Sequence, residues 1–187
     1  VRIIAGEWRG RRLASVGAGD AGAALRPTGD RVRESVFNVL AGAMGDPVPG
    51  AQVLDLFAGT GALGLEALSR GAAEAVFVEN GAAALKLLDE NITLFRAGAR
   101  ARVLRRDARA LGPVREGPVP ATLVFLDPPY GRGLGEEALE AALKGGWIAQ
   151  GALIVWEEGA PIRPPAGLRL RDARRYGAAT LSILEKI

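Results

Sequence analysis

Residues 53–68 read VLDLFAGTGALGLEAL. An apolar run that carries one acid, Asp55, ends at Phe57. Gly59, Gly61 and Gly64 follow, and the chain then turns rich in Ala and Leu. The stretch reads as a strand, a glycine turn and a helix. Glycine permits a tight turn there and lets a ligand come close to the backbone. The spacing Gly59-Thr60-Gly61-Ala62-Leu63-Gly64 fits G-x-G-x-x-G, a pattern shared by dinucleotide sites and by turns that hold no ligand.

The same alternation continues on the C-terminal side. Residues 74–80 (EAVFVEN), 101–107 (ARVLRRD), 121–127 (ATLVFLD) and 151–158 (GALIVWEE) read as strands. Helical patterns at 82–97 and 135–146 and a short helical turn at 108–112 separate them. Continuous Val, Leu and Ile strands alternating with helices predict a parallel sheet covered on both faces. The last strands, joined around Tyr176-Gly177, predict an antiparallel hairpin instead of another helix. The expected architecture is a Rossmann-like, doubly wound α/β sheet, mostly parallel, with a C-terminal antiparallel hairpin. Ligands on such sheets bind beyond the carboxyl ends of the strands, at the switch point.

On the N-terminal side, Arg2–Ala5 and Arg11–Ala14 flank Gly6-Glu7-Trp8-Arg9-Gly10 as a small hairpin. Trp8 is expected to pack that hairpin onto the body. Residues 15–24, small and rich in Gly, read as a loop. Thr28 or Asp30 is the expected cap of a helix whose Val32, Val36, Phe37 and Leu40 share one face. Residues 1–45 are therefore expected to form a basic hairpin-and-helix extension, and 46–187 the main domain.

The 187 residues include no Cys and no His. Disulfides, thiolate or imidazole metal sites, Cys nucleophiles and His bases are thereby excluded. Carboxylates, Tyr, Lys, Arg, backbone groups or a cofactor must carry any chemistry, and no metal is expected. Net charge is +3. Seven arginines against three acids place +4 within residues 1–33 and leave −1 on the rest. A basic arm on a near-neutral body suggests a polyanionic partner. Arg171, Arg174 and Arg175, near the last hairpin, read as ordinary solvated charges, with an extension of the basic face as the alternative. No apolar run approaches a membrane span, and the first residues lack a secretion signal, so the cytoplasm is the expected compartment.

Asp55 separates two readings of the glycine turn. A pyrophosphate wants N–H donors and positive field, which a carboxylate four residues before Gly59 opposes. A cationic ligand without phosphate suits it, and S-adenosylmethionine carries an ammonium and a sulfonium. Glu79, ending the second strand, is placed to accept both ribose hydroxyls or to stand as a surface acid. Asp107, ending the third, is placed to accept from an adenine amine or to cap the turn after it.

Residues 126–131 read LDPPYG. They deliver an acid, two residues without N–H and an aromatic ring to the end of a buried strand. Methylating the exocyclic amine of a nucleobase needs such a set. Acceptors aimed at both N–H bonds favour a tetrahedral nitrogen and expose its lone pair. Asp127 supplies one acceptor and the Pro128 carbonyl the other, with Pro129 locking the turn. Tyr130 offers a face on which an extruded base stacks. The bland alternative is a rigid turn.

These residues resemble bacterial 16S ribosomal RNA guanine-N2 methyltransferases of the RsmD type. The resemblance runs through RIIAGEWRGRRL (2–13), LRPTGDRVRESVFNVL (25–40), VLDLFAGTGALGLEALSRGA (53–72), VFVEN (76–80) and LDPPYG (126–131). It implies methyl transfer from S-adenosylmethionine to N2 of one guanine in the small-subunit RNA, free or in an assembling particle. It implies that Asp55, Gly59 and Gly61 hold the methionine part, Glu79 the ribose, and Asp107 with Ala108 the adenine. Phe57, Ala58, Thr60 and Asn80 would also bind the cofactor, although Asn80-Gly81 stand where family members often carry another charged residue. Asp127, Pro128, Pro129 and Tyr130 would hold the target amine. Arg31 would close over the site, and Arg9, Arg11 and Arg12 would grip phosphates. A monomer is expected. Adenine-N6 methylation of nucleic acid is an alternative with the same chemistry. An NAD-dependent dehydrogenase is one from another class; it leaves Asp55 and the DPPY motif without a role.

Overall fold

The computed structural model describes residues 1–15, 29–115 and 117–187. Helix α1 (Asp30–Gly42) leads into β1 (Gln52–Leu56), α2 (Ala62–Ser69), β2 (Glu74–Glu79), α3 (Ala82–Leu94) and β3 (Ala101–Arg105). A single 3₁₀ turn (Ala108–Ala110), β4 (Ala121–Leu126), α4 (Leu134–Lys144), β5 (Ile148–Glu158), β6 (Leu168–Tyr176) and β7 (Ala179–Lys186) complete it. The strands form one sheet in the order β3-β2-β1-β4-β5-β7-β6. β1 to β5 are parallel; β7 runs antiparallel between β5 and β6. This is the expected doubly wound sheet with its terminal hairpin.

The apolar strands bury both faces. On one, Val36 and Phe37 of α1, Leu65 and Leu68 of α2 and Leu88 of α3 cover Phe77, Phe125 and Ile183. On the other, Ala138 and Leu139 of α4 pack with Trp147, Trp156 and Val124. Trp147 and Trp156 are core residues. β5 begins three residues before the expected strand, with a register shift against β4 between Ala121 and Leu123.

The N-terminal arm folds back as expected, but its ladder is one bridge, Arg2 to Arg12. Ile3 and Leu13 still donate across the arm, to Arg11 O (2.9 Å) and Val1 O (3.1 Å), but other N–H groups are diverted to α2. Ile4 and Ala5 donate to the Glu66 carboxylate (2.9 and 3.1 Å), and Trp8 donates to Ser69 Oγ (2.9 Å). Gly6 sits so close that a Cβ would lie 1.9 Å from the Ser69 carbonyl. Trp8 packs on Phe95 at 5.2 Å between ring centres, with the Arg100 guanidinium over it. It serves packing, as the sequence suggested.

Two local expectations need correction. Gly29, not Asp30, is the N-cap of α1, and no side chain caps it. Asp30 is the first helical residue, and its carboxylate is held by Arg33 (3.1 Å) and the Arg2 N–H (3.3 Å). Thr28 and residues 16–24 of the expected loop lie outside the described residues. The helix face at Val36, Phe37 and Leu40 is buried, but Arg33 shares it, fully buried and paired with a fully buried Glu66 at 3.4 Å.

A candidate methyl-transfer site at the switch point

The strand order reverses between β1 and β4. Their carboxyl ends are adjacent: Leu56 pairs with Leu126, so Phe57 and Asp127 emerge about 5 Å apart, one strand spacing. Both open on one cavity of about 1010 Å³.

The glycine turn forms one wall. Phe57, the first residue after β1, has φ 57°, a conformation costly for a bulky residue and one that gathers at functional sites. Ala58 donates to Val78 O (3.0 Å), tying the turn to β2. Gly61 opens α2 in the left-handed region with φ 84°. Gly64 serves packing: a Cβ there would lie 2.4 Å from the Phe77 ring and 3.0 Å from Asp55 Oδ2.

The acids have defined partners. Buried Asp55 accepts from the Gly64 N–H (2.9 Å). Burial pushes its pKa well above the usual carboxylate value; that hydrogen bond opposes the rise, and Asp127 and Glu79 add to it. Glu79 accepts from Gly59 N–H (2.9 Å), Asn80 N–H (2.9 Å) and Gly81 N–H (2.8 Å), so its carboxylate braces the glycine turn from β2. Asp107 caps the 3₁₀ turn through Arg109 N–H (2.9 Å) and pairs with its guanidinium (2.7 Å). Arg109 lowers the Asp107 pKa by those hydrogen bonds. The capping role is thus present, on a residue that also lines the cavity.

The DPPY segment forms the opposite wall. Asp127 is half-buried, Pro128 is buried and Pro129 is exposed. The Tyr130 hydroxyl donates to Glu157 Oε1. Burial and then Glu157 push the tyrosine pKa far up, so the phenol stays neutral. Gly131 N–H and Gly159 N–H both donate to Glu158 Oε1 (2.9 and 2.8 Å), which fixes the segment after Tyr130 against the end of β5.

The structure brings Asp55, Phe57, Ala58, Gly59 and Thr60 together with Glu79, Asn80 and Asp107, and all of these face Asp127 to Tyr130. Gly61 lies behind that wall as the helix cap. Ala108 packs into the core beside Leu111. Arg9, Arg11, Arg12 and Arg31 are exposed and do not line the cavity. Arg11 donates to Leu94 O (2.7 Å) and lies 4.9 Å over the Phe95 ring. The arm's tip thus rests at the C-terminal end of α3, whose 13 residues span about 20 Å.

Sequence reading missed Glu157, Arg132 and Arg109 in the lining, and the arm's own ends, Val1, Ala14 and Ser15. It also missed Asn91. Buried on α3, Asn91 donates to Thr60 O (2.9 Å) and accepts from Ala14 N–H (2.7 Å), bridging the glycine turn and the arm. The signal was present: Ala84, Leu88, Asn91 and Phe95 recur at helical spacing, with an amide at a core position.

Five carboxylates (Asp55, Glu79, Asp107, Asp127 and Glu157) line the cavity against two guanidiniums, Arg109 and Arg132. The N–H groups of Gly59 and Gly64, which a pyrophosphate would need, are already held by carboxylates. An anionic dinucleotide is a poor fit; a cationic ligand with hydroxyls to donate is a good one.

The sheet order, the glycine turn and the acids ending β1 and β2 are those of a class I methyltransferase. Within that class, the chain belongs to the RsmD-type family: the family model described as Conserved hypothetical protein 95 matches residues 1–185. Ribosomal RNA small subunit methyltransferase D of Escherichia coli K12 is 45% identical over 157 residues, covering 84% of this chain and 74% of that one. The protein of the same name from Haemophilus influenzae is 34% identical over 188 residues, covering 99% and 93%. The solved structure of yhhF from Escherichia coli superposes with a TM-score of 0.82 at 40% identity, covering 100% and 97%.

Proposed function

We propose that this protein transfers a methyl group from S-adenosylmethionine to the exocyclic N2 of a guanine in 16S ribosomal RNA, free or within an assembling small subunit. The observation that carries the reading is that Asp127 and Gly59 line one cavity, one strand apart. The family relatives support the substrate class.

In this reading the cofactor supplies an electrophilic methyl carbon. Asp55 and the turn from Phe57 to Thr60 would hold its methionine part, Glu79 the ribose, and Asp107 the adenine edge, with Asn80 beside them and with Gly61 and the buried Ala108 shaping the wall from behind. Asp127 and the Pro128 carbonyl accept the two N–H bonds of the guanine amine. A bound cofactor would supply the methyl group to that nitrogen and take back the C–S bonding pair, and Asp127, with solvent beyond it, would take the amine proton. Tyr130, its ring held by the bond to Glu157, stacks the extruded base. Positioning and exclusion of water lower the barrier. Arg31 and the exposed arginines Arg9 and Arg12 contact RNA phosphates from residues 1–45, the extension to a catalytic domain of 46–187, while Arg11 is held by Leu94 O and the Phe95 ring. No helix among the described residues is long and apolar enough to cross a membrane. We place the protein in the cytoplasm as a monomer.

The test is incubation with small subunits lacking the modification, followed by mass-spectrometric mapping. N2-methylguanine in 16S RNA is expected; methyladenine, or no transfer, would overturn the assignment. A second expectation concerns Asp55. Asp55→Asn should weaken cofactor binding at least tenfold and RNA binding little. In the wild type, acidification through the raised Asp55 pKa should weaken cofactor binding, because the protonated acid no longer attracts an ammonium. Titration calorimetry across pH should show that dependence vanish in the variant.

A further inference from the structure

We infer that the β6–β7 hairpin end carries a second RNA-binding surface, formed by Arg174 and Arg175, which takes the phosphodiester backbone beside the target nucleotide. This rests on the proposed RNA substrate.

The topology supplies the placement. β5 is parallel to β4, so Glu158 ends at the same sheet edge as Asp127. β7 is antiparallel to β5 with Glu158 opposite Thr180, and Arg175 of β6 is opposite Thr180 in turn. Arg174 and Arg175 therefore stand at the carboxyl edge, three strands from Asp127. That is about 14 Å at about 4.8 Å per strand, or about four stacked nucleotides. The arm's tip rests instead at the C-terminal ends of α2 and α3.

The chemistry favours phosphate. Both side chains are exposed. Arg174 lies opposite Leu181, which is packed in the α1-covered core, and Arg175 lies opposite Thr180, so the two guanidiniums leave opposite faces of the hairpin. Arg174 shares one charge with Asp172 (2.9 Å), and Arg175 Nε donates only to the Gly177 carbonyl (3.1 Å), which leaves N–H donors outward. The acids on the way, Glu157 and Glu158, are buried and receive hydrogen bonds from Tyr130, Gly131 and Gly159. Arg132, at the cavity lining, stands at the near end of this path. Arginines on an edge strand also block edge-to-edge pairing, and Arg169 and Arg171 extend that charge along the rest of β6, but those two are paired with Glu185 at the amino end, away from Asp127.

The difference is testable within one strand. R174Q/R175Q and R169Q/R171Q remove two charges each, from the carboxyl and the amino end of β6. RNA binding is measured against salt, with the full chain and small-subunit RNA, alongside cofactor binding and melting temperature. R174Q/R175Q should weaken RNA binding about tenfold and reduce the log–log salt slope by about 0.7–0.9 for each phosphate no longer neutralised. R169Q/R171Q should leave the slope unchanged, and cofactor binding should not move in either. Equal losses from both pairs, or an unchanged slope in R174Q/R175Q, overturn the inference while the proposed activity stands. A wild type that binds no RNA overturns both.

Discussion

Asp127→Ala should lower methyl transfer by about 10³-fold or more while the protein folds normally and still binds its cofactor. The carboxylate accepts one N–H of the substrate amine, and without it the nitrogen stays planar and conjugated, with its lone pair unavailable. A positioned acceptor of this kind contributes about 10²–10⁴-fold, and a single donor or acceptor aimed at developing charge contributes as much. The fold should tolerate the change, because Asp127 lies beyond the end of β4 and is only half-buried. Asp127→Asn keeps an acceptor oxygen without the charge and should fall between, which separates hydrogen bonding from charge. Single-turnover incorporation of labelled methyl measures the series, with thermal melting as the fold control. An Ala variant that turns over at the wild-type rate would remove Asp127 from the chemistry, and with it the reading of the DPPY motif.

The parts of the molecule that local pattern controls were readable in advance. Strands β1, β2 and β4 are short, largely apolar runs that stop just before a Gly or an Asp (Gly59, Gly81 and Asp127), whereas β3 alternates with arginines and was read from its place in the alternation. The glycine turn and the DPPY segment were both legible because they sit at such stops. That they share a cavity follows from strand order, which the alternation of strands and helices restricts strongly.

What stayed hidden depends on register and on what charges do once buried. Glu157 reaches Tyr130 because β5 pairs with β4 so that Trp156 stands beside Leu126. No local pattern encodes that register. The basic arm was overcounted for a different reason. Arg33 and Arg11 contribute to the charge of residues 1–33, yet one is buried in an ion pair and the other is committed to Leu94 and Phe95. Arg33 could have been found: it recurs with Val36, Phe37 and Leu40 at helical spacing, and Glu66 interrupts a helix that is otherwise small and apolar. A charge on an apolar face requires a partner.

That pair sets the largest stability effect we expect. The Glu66 carboxylate accepts from Ile4 N–H (2.9 Å), Ala5 N–H (3.1 Å) and Arg70 Nε (2.8 Å), and lies 3.4 Å from Arg33 Nε. Arg33 in turn donates to the Arg2 carbonyl and to Asp30 (3.1 Å). One carboxylate thus joins the arm, α1 and α2. Glu66→Leu leaves a fully buried guanidinium with only the part-exposed Asp30 as counter-charge, at a cost of about 3–5 kcal/mol. At about 2–4 °C per kcal/mol for a chain of this size, the melting temperature should fall by about 10 °C. R33M/E66L removes both charges and should recover part of that loss, since an apolar replacement of a buried pair is often neutral. Recovery should stay incomplete, because Ile4 and Ala5 still lose their acceptor and an unpaired buried N–H costs about 1–3 kcal/mol. Denaturation of the three proteins measures the series. Glu66→Leu melting within about 2 °C of the wild type would show that the arm is held without this carboxylate, by its contacts to Ser69, Asn91, Leu94 and Phe95. The arm's ends, Val1 and Ala14, line the cavity, so if the carboxylate holds them there, the same substitution should weaken RNA binding more than cofactor binding.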